Sequence, residues 1–475
     1  MTEVPLSIVE AAEEIRGGTR TATDLVTTVL ARADAYDDTI GSYLARFDEQ
    51  ALAAAALADR ELASGTDRGP LHGIPLGVKD IIAVAEGPTT ANSLVLDPRW
   101  GAGRDAPVIT RLRRAGAVIT GKVTTMEFAI GAPDPTKPFP LPRNPWDTGT
   151  WPGGSSSGTA NGVAAGFFLG GLGTDTGASI RLPSAYCGVT GLMPTYGRVP
   201  KAGCVPFGFS LDHVGPMARS ARDCALLLQA MAGYHPGDPD CADVPVPDFS
   251  AGMDAGTLAG IRIGVDRTHH FPDDGDPAVL ECFDLAVAEL EDLGATVTEV
   301  ALPNFEEMVA ATVVTMLADA LAYHRPDIQS RWNDYFVATR RTIAQGALIS
   351  GADYVQAQRV RQATLPALQS LFGGVDVVAM PTAATGAPPY EVLDAQLGVD
   401  SVFRHVHTPY WDAAGNPVVA LPMGFTAGGL PVSLQLAGRL FGEMPLLAVA
   451  DAYQQVTDWH RRLPPLSAVG HGAGR

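Results

Sequence analysis

Two serine-bearing loops and one lysine in an apolar run carry the chemistry open to this chain. Ser155, Ser156 and Ser157 sit in PGGSSSGTANG, flanked by Gly153, Gly154 and Gly158, and Ser179 follows in GTDTGASIRLPS. Glycine tolerates positive φ and leaves backbone N–H groups open to a ligand. An apolar segment of helix-then-strand character separates the two loops, a device for bringing two hydroxyls together. A hydroxyl nucleophile needs a base, and Lys79 in IPLGVKDIIAV is the candidate, with Ser155 relaying the proton of Ser179. Lysine serves only when neutral. From an unperturbed pKa near 10.4, neutralising it at pH 7 costs about 4.6 kcal/mol, which burial supplies by disfavouring the charged form. Ile74, Leu76, Val78, Ile81 and Ile82 surround it in sequence. Taken alone, Lys79 reads first as half of a Lys79–Asp80 pair at a strand end or as a snorkelling side chain, and the base reading gains strength only with the serines. Strand alternation instead points the two side chains to opposite faces.

Two other motifs compete for these residues. Gly154 to Gly158 satisfies G-x-S-x-G, but that elbow must follow a buried strand directly, and NPWDTGTWPG is not one. Nothing in the sequence singles out His213, His405 or His407 as its triad partner. Gly116 to Lys122 fits G-x-x-x-x-G-K, yet Val123 stands where a magnesium-binding hydroxyl belongs and the intervening residues read as a strand.

The elements that must position these groups follow from local signals. Ser7 with Glu10 and Thr21 with Asp24 have capping spacing for helices at 7–16 and 21–36, and an Ala-rich helix covers 48–64. Residues 105–122 read as a helix capped by Asp105 and then a strand, and strand–helix–strand grammar returns from Ile261. Helices dominate 306–372, with a strand at 376–382 and two more near the end. The Pro-rich segments 131–145 and 383–411 read either as pocket rims, with Phe139, Tyr390, Phe403, Tyr410 and Trp411 as candidate lining, or equally as ordinary loop packing. Residues 238–252 are the best linker candidate. Hydrophobic residues at 46% and charged residues at 18% describe a folded chain with a large core. The net charge of -19 argues against nucleic-acid or anionic-membrane partners. Five scattered cysteines and the lack of a leader or long apolar run point to a reducing, cytoplasmic setting.

The chain resembles the amidase signature family of serine hydrolases almost end to end. GGSSSGTANGVAAG is similar to its GGSSGG loop, GTDTGASIRLPSAYCGVTGLMPTYGRV to its nucleophile segment, and GIPLGVKD to its lysine segment; LDHVGPMARSARDCALLLQAMAG is also similar. The resemblance implies an α/β fold, one α/β/α domain over 1–475 around a twisted mixed sheet. The helical arm at about 1–65 is then expected to pack on that domain. It implies a triad of Lys79 as base, Ser155 as the bridging serine after a cis peptide at Gly154, and Ser179 as nucleophile, with no metal or cofactor. The N–H groups of Thr176, Gly177, Ala178 and Ser179 are the implied oxyanion hole, each such donor lowering a barrier by roughly 3 to 4 kcal/mol. Ser156 is expected to hydrogen-bond within its loop, and Asp175 and Arg181 to support the site. Three positions depart from the family: Ser157 and Ala178 replace glycines, and Met193 replaces the lysine of GLKPT.

The expected function is a stand-alone hydrolase of C–N acyl bonds, amide and by extension carbamate, of the aryl-amidase or urethanase type. Its substrates are expected to be neutral and moderately hydrophobic small molecules. No nucleic acid or membrane is expected as partner, which leaves room for a homodimer. The alternative is the glutaminase subunit of a tRNA-dependent amidotransferase, which works only inside a complex.

Overall fold

The computed structural model describes residues 4–395 and 403–466. Its centre is an 11-stranded mixed sheet in the order β1-β3-β2-β4-β6-β5-β10-β11-β9-β7-β8. The strands are β1 (Tyr43–Arg46), β2 (Pro75–Lys79), β3 (Val118–Val123), β4 (Gly170–Asp175), β5 (Thr190–Met193), β6 (His213–Ala218), β7 (Arg262–Val265), β8 (Thr296–Glu299), β9 (Val377–Pro381), β10 (Val418–Phe425) and β11 (Pro431–Gly438). Parallel pairing of β2 with both β3 and β4 buries every residue of β2. That is why its sequence is a nearly unbroken apolar run rather than an alternation. The chain is a single α/β domain, as the motifs imply.

Local signals set the helix ends. Ser7 Oγ accepts from Glu10 N at 3.0 Å to start α1 (Ile8–Arg16). Thr21 and Asp24 form a reciprocal capping box on α2 (Ala22–Ile40), which ends on left-handed Gly41. With α3 (Asp48–Ala63) these helices bury Ile8, Leu25, Val26, Val29, Ala51 and Ala55. Asp105 does not cap α4 (Pro107–Arg114); Ala106 holds that position. The Asp105 carboxylate instead accepts from Ala85 N and from Arg113 Nε, both at 2.9 Å. Its nearest cation out-competes the helix end.

Three short elements frame the serines and their approach: α5 (Ser157–Ala165), α6 (Arg181–Cys187) and α7 (Ala221–Met231). Residues 238–252 do not separate two domains. Asp238 and Phe249 are buried, and the strands that follow join the same sheet through β9. The second half adds α8 (Pro277–Asp292), α9 (Phe305–Ser330), α10 (Val337–Gln345) and α11 (Gly351–Gly374). Among the described residues, no helix is long and apolar enough to cross a membrane.

Candidate active site

Lys79 ends β2 and is fully buried. Its Nζ lies 2.6 Å from Ser155 Oγ, 2.8 Å from Thr174 Oγ1 and 3.0 Å from Ser156 Oγ. Burial is the main influence on the amine and brings its pKa down to about 7, although Asp175 and Asp212 pull the other way. A substantial neutral fraction therefore exists at neutral pH. Asp80 does not oppose this. Its carboxylate turns to the other face, ion-pairs with Lys122 Nζ at 2.9 Å and accepts from Thr90 N at 3.0 Å. Lys122 thus closes a buried pair, with Ile82 O at 2.7 Å and Thr89 Oγ1 at 2.9 Å completing its donors. The phosphate-loop likeness has no phosphate cradle behind it.

The serine loop enters by Gly153 at φ +80°, where a Cβ would sit 2.7 Å from Pro183 Cα, so only glycine fits. The Gly154–Ser155 peptide is cis. Ser157 Oγ donates back to Gly153 O at 2.6 Å. The serine that departs from the family pattern therefore braces the loop. Ser156 N donates to Ser179 O at 3.2 Å, joining the two serine loops through their backbones. Among the described residues, no hydrogen bond joins the hydroxyls of Ser155 and Ser179 themselves. Ser156 Oγ reaches beyond its own loop to Lys79 and to Thr174 O at 3.3 Å. Thr174, which sequence reasoning missed, comes to the lysine because β2 and β4 run parallel and both end there. Ser156→Ala is expected to cut turnover about 10-fold by loosening the amine, far less than loss of Ser155. Steady-state rates of the two variants check this.

The turn from Asp175 to Arg181 wraps around Ser179. Asp175 Oδ2 accepts from Ile180 N at 2.9 Å, Arg181 N at 3.2 Å and Arg181 Nε at 3.0 Å. Arg181 also reaches Thr408 O at 2.8 Å and Asp412 Oδ2 at 2.5 Å, all fully buried. Burial alone raises the Asp175 carboxyl, but the adjoining guanidinium overcomes it and holds the group at about 2. Burial pushes the Asp412 carboxyl up despite the same guanidinium. Removing one partner from such a network leaves a buried charge uncompensated, so its members fix the turn's shape. Thr408 Oγ1 donates to Gly177 O at 2.5 Å. Among the described residues, the N–H groups of Thr176, Gly177, Ala178 and Ser179 donate to no protein acceptor. Four consecutive free donors beside one hydroxyl are suited to stabilising an oxyanion.

Ser179 is 8% exposed and lies in the wall of a cavity of about 580 Å³. Met126, Trp151, Leu182, Phe207, Met316 and Phe403 make most of that wall apolar; Asp274, Asp276 and His405 also line it. No lysine or arginine does so among the described residues. The Ala178 methyl packs with Met126, Trp151 and Tyr186, so the substitution of the family's glycine narrows the wall. Of the five aromatics expected to line a pocket, only Phe403 does. Tyr410 and Trp411 turn inward in the short helix Pro409–Ala414 and are fully buried. Phe139 packs on Phe336, and Tyr390 OH donates to Pro142 O. Residues 396–402 of that rim lie outside the described set. Met193 is buried with Tyr410 and Trp411. His213 lies beneath Asp175 on β6, its pKa brought down by burial to about 4, and is built to stay neutral rather than to serve Ser155 or Ser179. His407 is buried with its Nδ1 on Pro381 O at 3.3 Å.

Comparison with known proteins bears on this geometry. The family model Amidase matches residues 24–447. A glutamyl-tRNA(Gln) amidotransferase subunit from Roseiflexus sp. (strain RS-1) is 40% identical, over 97% of this chain and 98% of that protein. A chain from a vestigial protein complex, tied to the evolutionary origins of an s-triazine catabolic enzyme, superposes with TM-score 0.86 at 32% identity, covering 94% of this chain and 98% of its own. The peptide amidase of Stenotrophomonas maltophilia superposes with TM-score 0.81 at 31% identity, covering 97% and 98%. The expectation of a stand-alone hydrolase of neutral, hydrophobic small molecules, with no nucleic acid in its setting, is corrected by the first of these relatives. It matches along its whole length and is one component of an enzyme acting on a glutamyl-tRNA. The error has a physical origin. Hydrolytic groups look the same in a free enzyme and in one component of a complex, and a net charge of -19 does not exclude RNA held by a partner.

Proposed function

Since the chain belongs to the amidase family, we propose that it is the amide-hydrolysing subunit of a tRNA-dependent amidotransferase, releasing ammonia from glutamine for a partner subunit in the cytoplasm. The observation that carries this reading is the 40% identity with the Roseiflexus amidotransferase component over nearly the full length of both chains.

In this reading Ser179 Oγ attacks the carboxamide carbon. Its proton moves to Lys79 Nζ through Ser155 Oγ, whose 2.6 Å contact with the amine makes it the relay. The oxyanion forms against the N–H groups of residues 176–179. The C–N bond breaks as the proton returns through Ser155 to the departing nitrogen, leaving an acyl group on Ser179 that water releases. Asp175 and Arg181 hold the turn, and Gly154 and Ser156 hold the relay and the amine. Among the described residues, no lysine or arginine lines the cavity wall to pair with the α-carboxylate of glutamine. Selecting glutamine and guarding ammonia therefore fall to groups contributed on assembly, and the isolated chain should be a poor glutaminase.

The test is ammonia release from glutamine, and amidation of glutamyl-tRNA, by the full chain alone and with the amidotransferase subunits of its own organism. A gain of 10-fold or more on adding the partners is expected. A chain that hydrolyses apolar amides alone, and gains nothing on glutamine with any partner, overturns the reading.

A further inference from the structure

The segment LDHVGPMARS contributes one carboxylate that the reaction as described does not use. Asp212 immediately precedes β6, whose register sets His213 opposite Asp175, and this delivers Asp212 to the turn that follows β4. Thr176 Oγ1 donates to Asp212 Oδ1 at 2.6 Å. Phe207 N donates to Oδ2 at 3.0 Å and Gly208 N to Oδ1 at 3.1 Å. Phe207 is part of the cavity wall, and Thr176 carries the first of the four free N–H groups. The two segments are pressed together here: a Cβ on Gly208 would lie 3.1 Å from Thr176 Cγ2.

We propose that Asp212 is a positioning residue, whose carboxylate binds the loop at Phe207–Gly208, where Phe207 lines the cavity, to the oxyanion turn at Thr176 and so fixes the turn relative to the cavity. A charge-assisted set of three donors on one carboxylate is stronger than neutral bonds and is lost as a unit. Asp212 also bears on the base. Burial lowers the Lys79 pKa, and Asp175 and then Asp212 are the carboxylates that oppose it, with Cys204 a smaller influence from the same side. Asp319 on α9, Tyr196 and Cys204 also feel the charge of Asp212. The inference rests on the reading of Ser179 as nucleophile and Lys79 as base.

The experiment needs no knowledge of the substrate. A fluorophosphonate phosphonylates the nucleophilic serine: the Oγ–P bond forms, P–F breaks, fluoride leaves, and the serine proton passes to the base. Its rate on the full chain is measured from about pH 5 to 9 for wild type, Asp212→Asn and Thr176→Val. Both variants are expected to react ~10-fold more slowly, since each loosens the oxyanion turn. Only Asp212→Asn should move the acid limb, and toward lower pH, because the lysine gives up its proton more readily without that charge. A purely structural role would not move it. If Asp212→Asn does not fold, wild-type reactivity in Thr176→Val overturns the proposal. Wild-type rate and limb in a folded Asp212→Asn overturn it as well. A wild-type chain that is not labelled at Ser179 overturns the reading of the site and this inference with it, whereas labelled wild type with insensitive variants overturns the inference alone.

Discussion

Replacing Ser179 by alanine is expected to lower amide hydrolysis by roughly 10⁴-fold or more, with little change in stability. The size follows from what is lost. Ser179 lies in the cavity wall with Gly177 and Ala178, and among the described residues the N–H groups of residues 176–179 donate to no protein acceptor. Without its oxygen no acyl-enzyme forms, and the turn is left to bind substrate unproductively. Stability should hold because the turn is built by Asp175, Arg181, Asp412 and Thr408 rather than by the Ser179 hydroxyl, which makes no side-chain hydrogen bond among the described residues. Ammonia release from glutamine in the presence of the proposed partner subunits, with thermal unfolding of each variant alongside, checks both halves. An active Ser179→Ala beside an inactive Ser156→Ala would restore the elbow reading of residues 154–158.

Lys79→Met should cost about 10³-fold in turnover, and it carries a signature in pH that no loss of packing reproduces. Burial brings the folded lysine to about 7, against an ordinary value of 10.5. Activity in the wild type should therefore fall as pH drops through about 7, where the base becomes protonated. The stability effect has its own sign. Between pH 7 and 10.5 the unfolded chain holds a proton that the folded chain has released, so stability rises with pH across that window. Below it, both states are charged and the folded one carries the full penalty of a buried ammonium, on the order of 5 kcal/mol before its hydrogen bonds offset part. Lys79→Met lacks this dependence. The stability of wild type relative to Lys79→Met should grow from neutral to alkaline pH in urea unfolding, and a constant difference would contradict the buried, neutralised lysine.

How legible each feature was in the sequence depended on the reach of the interaction behind it. The caps at Ser7 and Thr21 are settled within three residues, and both stand where the spacing puts them. The strand character of β2 and the opposite facing of Lys79 and Asp80 follow from burial and alternation, which are local as well. The Asp105 cap failed because Arg113, toward the far end of α4, and Ala85 in a separate loop claim the carboxylate. Contacts between segments far apart in the chain were not legible at all. Thr174 is 95 residues from Lys79 and reaches it through the pairing of β2 with β4, and Asp412, in the short helix Pro409–Ala414, is 231 residues from Arg181. The aromatic rim misled for a similar reason. Tyr410 and Trp411 read as pocket lining in a Pro-rich loop, but the short helix they start turns both rings into the core with Phe372 and Met380. The stand-alone reading is overturned by the full-length likeness to an amidotransferase subunit, which hydrolytic groups, alike in a free enzyme and in a component of a complex, do not reveal.

In the proposed mechanism catalysis turns on the Ser179 oxygen, and peptide mapping of the fluorophosphonate adduct tests it. The prediction is a single modified site at Ser179, formed faster as pH rises through about 7 and absent in Ser179→Ala and in Lys79→Met at neutral pH. An adduct on Ser155 or Ser156, or labelling that persists in Ser179→Ala, would contradict it.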